Sequence, residues 1–198
     1  MARYSKSHKE ETKRNILIHA ARRFRQDGLA AVGLRSLMTD AGLTHGGFYA
    51  HFPARDALVI EALDTALDEI SGLLSRAATE GGLTGLIRAY LDPHLRDHPG
   101  LGCAAASLAP EIAREAPTTQ SRFAAAVSAT ARLISDHLPP GGGECDRLAR
   151  GRAIFAMMMG SMQLSRTEPD PATSNAILQT ARDGALALAH LPWPERIN

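Results

Sequence analysis

Cysteine is nearly absent: Cys103 and Cys145 are the only two in 198 residues. So few thiols, and no closely spaced Cys or His pairs, exclude a disulfide framework and the usual zinc-site patterns. The His94 and His98 pair in PHLRDHP lacks further ligand spacing, so neither a metal nor a cofactor is expected. No stretch approaches the roughly 18 to 20 uncharged apolar residues of a membrane span, and no signal-like apolar run follows MARYSKSHKEETKR. A cytoplasmic, reducing location is therefore expected, with no membrane partner. Also missing are the phosphate loop, the metal cluster, the nucleophile elbow and the clear acid pair that mark enzymes, so catalysis is not expected. Alternating strand patterns and internal repeats are absent too, which points to an all-α chain.

What is present is ordinary for a globular protein, with 44% hydrophobic and 22% charged residues. The net charge of +1 hides a division. Residues 1–55 hold ten Lys/Arg against four acids, and the remaining 143 hold twelve against seventeen. A basic head on an acidic body suggests a polyanion partner for the head, although a basic run also serves as a plain solvated face.

Residues Ser7 to Gln26 place Leu17, Ala20, Ala21 and Phe24 at helical spacing, with Lys9, Lys13, Arg14, Arg22, Arg23 and Arg25 elsewhere around the wheel. Ser7 with Glu10 reads as a capping box, and Asp27-Gly28 as the stop. Two short helices follow, Leu34 to Ala41 and Thr44 to His51, joined at Gly42-Leu43 and closed by Pro53. That is a helix-turn-helix pattern. Longer helices are expected over 55–77, 84–95, 104–114, 118–138, 144–166 and 172–188. Their separators are Gly81-Gly82, the HPGLG stretch at 98–102, Pro117, PPGGG at 139–143 and EPDP at 168–171.

The stretch AAVGLRSLMTDAGLTHGGFYAHFPARDAL, Ala30 to Leu58, carries an ordered set of residues: Leu34, Leu37, Gly42, Leu43, Thr44, Phe48, Tyr49, His51, Phe52, Arg55, Asp56 and Leu58. In that order and spacing it resembles the DNA-binding signature of the tetracycline-repressor (TetR) family. The residues themselves explain much of the pattern. Gly42 suits a left-handed turn, Thr44 can cap the next helix, and Phe48 and Phe52 at i, i+4 fasten that helix to a small core. The opposite face, with His45, Gly46, Gly47, Tyr49 and His51, is then left for DNA, the two glycines allowing close approach to base edges or merely fraying the helix.

The resemblance implies that Tyr49, Thr44 and Arg55 hold phosphates, and that Arg35 reaches either a guanine edge or a phosphate. The tail around Arg3 and Lys6 either adds contacts to DNA or stays solvated. One departure is visible: Val32-Gly33 stands where the family often places two hydroxyl residues, which removes a cap and one phosphate contact. The implied architecture is a helix-turn-helix head, residues 1–54, on a larger helical ligand-binding and dimerisation body, residues 55–198. The implied function is a repressor that binds a double-stranded, pseudo-palindromic operator as a homodimer and is released by a small molecule. An activator and a nucleoid-type DNA binder are the rival readings.

In the body, Ala149, Ala153, Met157, Gly160 and Leu164 form one stripe, continued by Ile177, Ala181, Gly184 and Leu188. Small residues there allow close helix approach, either to a second copy or inside the monomer. Tyr90, His94, Phe123, Phe155, Met158 and Met162 are candidates to line an effector pocket between helices, or ordinary core. The segment RDHPGLGCAAASLAPEIARE, Arg96 to Glu115, resembles a stretch of one branch of the same family in which a Cys follows a Gly at a helix start. Cys103 at the positive end of a helix dipole would be an accessible, reactive thiol, so an electrophilic or oxidising effector joins the candidates, beside a plain buried thiol.

Overall fold

The computed structural model describes residues 6–193, Lys6 by its backbone alone, and its regular elements are all helical. Helix α1, Lys6–Asp27, buries Ile16, Ala20, Ala21 and Phe24. It already includes Lys6, so Ser7 lies inside the helix and not at its cap. It ends as expected at Gly28, whose φ of 86° suits glycine and whose N–H closes on the Phe24 carbonyl at 2.9 Å. Helix α2, Leu34–Asp40, turns at Gly42, where φ is 73°, into a 3-10 helix over His45–Ala50.

Helix α3, Arg55–Tyr90, runs from the head deep into the body. As the sequence suggests, the run is broken at Gly81-Gly82, where the backbone leaves helical φ/ψ and Gly82 takes φ 58°, so α3 is two helical stretches meeting at a kink. Its end comes at Tyr90, short of the expected Leu95, because Pro93 opens a separate short helix, α4 (Pro93–Asp97), capped by the Asp92 carboxylate on the His94 N–H at 2.7 Å. A 3-10 turn, Pro99–Leu101, leads into α5 (Ala104–Ile112), followed by α6 (Pro117–Asp136), α7 (Glu144–Thr167) and α8 (Pro171–His190). Helix α7 packs between α6 and α8. Gly151 permits the α6 crossing, since a Cβ there would sit 2.4 Å from the Ala131 carbonyl oxygen.

Two hydrophobic cores result, and α3 serves both. Leu58, Val59, Ala62, Leu63, Ala66 and Leu67 close the head core against α1 and α2, joined by Ala104, Leu108 and Ile112 from α5. Further along, Ile70, Leu74, Leu86, Ile87 and Tyr90 pack with α6, α7 and α8 in the body. The head is thus completed by body residues, which makes the orientation of α3 and α5 a property that both parts feel.

Candidate nucleic-acid interface and effector cavity

Phe48 and Phe52 are fully buried and stacked with centroids 5.5 Å apart, which fixes one side of the His45–Ala50 helix to the head. The other side is left outward: Thr44, His45, Gly46 and Tyr49 are exposed, Tyr49 by 66%, and Arg35 of α2 is exposed beside them. A Cβ at Gly46 would meet nothing, and one at Gly47 would make only ordinary contact with Thr44 and Met38. Packing therefore does not require either glycine. The 3-10 geometry changes one expectation. Thr44 occupies the N-cap position, yet its hydroxyl makes no cap hydrogen bond, because the Gly47 N–H closes on the Thr44 carbonyl at 3.0 Å.

The remaining two candidates sit differently. Arg55 is half-buried and gives one nitrogen to the Leu29 carbonyl, which ties the start of α3 to the end of α1. His51 is also half-buried, with Nδ1 lacking a partner. Burial, then the charges of Lys9 and Lys13, hold its pKa below the ordinary imidazole value. The fold therefore favours neutral His51. Its contribution to stability should persist above the ordinary imidazole range and be lost as the pH falls through the lowered value. Thermal melts between about pH 8 and pH 5 should show a smaller acid loss for His51→Gln than for the parent. Arg3 lies outside the described residues.

In the body, a cavity of about 140 Å³ opens between α3, α6 and the start of α5, lined by Leu67, Ile70, Cys103, Val127, Thr130 and Phe155. Two expected pocket residues, Cys103 and Phe155, thus line one cavity. Tyr90, Met158 and Met162 lie in the body core, Tyr90 packed edge-on to Phe155 at 5.8 Å, and Phe123 is partly buried against both cores. His94 does not join them. It is exposed on α4, its ring tilted against that of His98 with centroids 4.3 Å apart, because Pro93 and the Asp92 cap turn α4 away from the α3 axis. Tyr90 Oη is buried without a partner, and its pKa is pushed well up by burial and by neighbouring Cys103. Cys103 is itself only 5% exposed, contrary to the accessible thiol expected at a helix start, since the Gly102–Cys103 turn is folded under α1 and α7.

On the outer face of α7, Ala153, Met157, Gly160 and Leu164 are all exposed, and a shallow groove separates Met157 and Ser161 from Ile177, Thr180 and Gly184 of α8. The α8 half of the expected stripe is less uniform. Ala181 is 5% exposed and belongs to the body core, and Leu188 packs against that core, because α8 leans this edge on α7 and α3.

Arg25, which the helical wheel places with the other basic residues away from the apolar stripe, is buried. Only its place on the wheel beside Ala21 hinted at this.

Residues 16–62 match the family model described as bacterial regulatory proteins, tetR family. An HTH-type transcriptional regulator of Bacillus subtilis (strain 168), YfiR, is 27% identical over 88 residues, which spans 44% of this chain and 43% of that relative. The match thus covers under half the length of this curated relative. Over most of the chain the fold is similar to that of several solved structures. A TetR-family transcriptional regulator from Streptomyces coelicolor, SCO4454, has TM-score 0.74 at 21% identity, covering 90% of this chain and 88% of that one. A transcriptional regulator of the TetR family from Cytophaga hutchinsonii has TM-score 0.77 at 17% identity, covering 95% and 100%. The reduced form of Escherichia coli NemR has the same fold, with TM-score 0.72 at 19% identity over 89% of this chain and 96% of that one. With the signature placed on an exposed, aromatic-anchored helix, residues 16–62 are similar to the tetR-family segment of bacterial regulatory proteins, and the chain as a whole has the fold of these solved structures.

Proposed function

We propose that this chain is a cytoplasmic repressor that binds a pseudo-palindromic operator as a homodimer and releases it when a small molecule enters the body. The observation that carries the reading is the outward surface of Arg35, Thr44, His45, Gly46 and Tyr49 mounted on the buried Phe48 and Phe52. Residues 1–54 read the DNA, and residues 55–198 bind the effector and the second copy. In that arrangement two His45–Ala50 helices enter successive major grooves about 34 Å apart. The cavity at Cys103 and Phe155, mostly apolar but with Asp68, Ser71 and Thr130 in its wall, is the proposed effector site. Burial of Cys103 favours a reversibly bound molecule over attack on an accessible thiol.

Base reading and phosphate holding are separable by substitution. Arg35→Ala is expected to weaken binding to an operator duplex by about 1–3 kcal/mol more than binding to random duplex. Tyr49→Phe is expected to weaken both alike, since phosphate contacts are blind to sequence. Fluorescence anisotropy on both duplexes measures this. Equal losses for Arg35→Ala would move Arg35 from the base edges to the backbone.

A further inference from the structure

The side chain of Arg25 is 0% exposed, and a charge so buried is tolerable only when its donors are taken. They are taken by three different parts of the molecule. Nε donates to the Ala21 carbonyl within α1 at 3.1 Å, and Nη2 pairs with the Glu69 carboxylate on α3. Nη1 is shared between the Ala66 carbonyl of α3 at 3.4 Å and the Gly102 carbonyl at 3.1 Å. Gly102 immediately precedes Cys103, a wall of the cavity.

The segment 98–103 is held from both sides. Toward the head, Gly100 lies against α1: a Cβ there would be 3.1 Å from the Arg22 carbonyl oxygen, and its N–H donates to Gln26 Oε1 at 3.3 Å. Toward the body, Arg166 of α7 donates to the carbonyls of Leu95 and Arg96 at 3.0 and 3.3 Å and to Ser107 Oγ at 3.2 Å. A Cβ on Gly102 would come within 2.8 Å of Arg166 Nη2. With no side chain at either glycine to yield, movement of the cavity wall is passed on through the backbone.

We propose that Arg25 is the positioning residue through which the Cys103 wall of the cavity sets the placement of the DNA-reading head. The inference rests on reading that cavity as the effector site. A guanidinium is a rigid planar fork, so it cannot follow a displaced Gly102 carbonyl and keep Glu69 and Ala66 unless α1 shifts relative to α3. The apolar contacts of Leu108 and Ile112 with the head also join the two parts, but they are non-directional and tolerate small slides.

A double-mutant cycle on the full-length dimer tests this, with an operator duplex selected from random DNA by the wild-type protein. Cys103→Met enlarges the cavity wall, and Gly102→Ala displaces the turn directly. Arg25→Lys keeps a positive charge beside Glu69 but cannot span all four acceptors. Each body substitution is expected to raise the operator Kd about 10-fold in the parent and under about 2-fold with Arg25→Lys. If circular dichroism shows that Arg25→Lys does not fold, Glu69→Gln, at a half-exposed position, supplies the second background, where the factor should fall below about half. An equal factor in both backgrounds overturns the role of Arg25 and assigns the link to Leu108 and Ile112. If neither Cys103→Met nor Gly102→Ala changes Kd in the parent, the cavity is not linked to the head. The inference then falls by itself, because a ligand can still bind a cavity whose wall substitutions leave Kd unchanged.

Discussion

Gly160→Leu is expected to give a folded monomer with operator affinity largely lost. Within one chain nothing lies within 4 Å of a Cβ at Gly160, so a leucine finds room there and the monomer has no reason to misfold. The surrounding stripe is exposed, Met157 by 36% and Leu164 by 62%, which is unusual for large apolar side chains in this molecule. If the stripe meets its copy across a two-fold axis, the added side chain enters the contact twice. Overpacking of about 1–3 kcal/mol per copy then raises the dimer dissociation constant by about 30-fold or more. The operator loses one of its two heads as a result. Sedimentation at several concentrations decides the matter, and a variant that stays dimeric with full affinity would show that this face meets solvent.

Phe48→Ala is expected to abolish DNA binding by a different route, through the stability of the head. Phe48 is completely buried, stacked on Phe52 and in T-shaped contact with Tyr49 at 5.2 Å. Truncating a buried phenylalanine costs about 3–5 kcal/mol, a large share of what so small a core supplies. Tyr49→Ala, one residue on, makes the contrast, because its ring is mostly exposed and a surface change usually costs within about 0.5 kcal/mol. Melting curves should therefore separate the two, with Phe48→Ala lowering the transition and Tyr49→Ala leaving it in place while both lose operator binding. Unchanged melting and binding for Phe48→Ala would remove the anchor from under the proposed interface.

Much of this molecule is written in local terms. The stop of α1 at Gly28, the left-handed turn at Gly42 and the start of α5 after Gly102-Cys103 follow from residue types whose preferences act over a few positions. Phe48 and Phe52, read as inward from i, i+4 spacing, are both buried, although the helix around Phe48 is 3-10 and ends at Ala50, before Phe52. Where the reading missed, the deciding partner was distant in sequence. The wheel gives Arg25 a mostly charged neighbourhood, yet Glu69 and Gly102, 44 and 77 residues away, take it inside. His94 lies only four residues after Tyr90, but the Pro93 start of α4 sends it to the surface. Ala181 shares a stripe with Gly184, and the lean of α8 on α7 puts Ala181 in the core.

The amino-acid sequence by itself determined the all-α architecture, the helix-turn-helix with its tetR-like signature, and the face of the second short helix that points outward. Periodicity, capping residues and glycine conformations act within a few residues of one another, and the pattern of apolar positions decides inside from outside. The tertiary structure decided which polar groups are buried together, that α3 and α5 serve both cores, and that the turn before Cys103 lies between the head and the cavity. Those outcomes depend on where long-range packing brings chain segments, and a buried charge such as Arg25 is stable only at the place where that packing supplies every one of its partners.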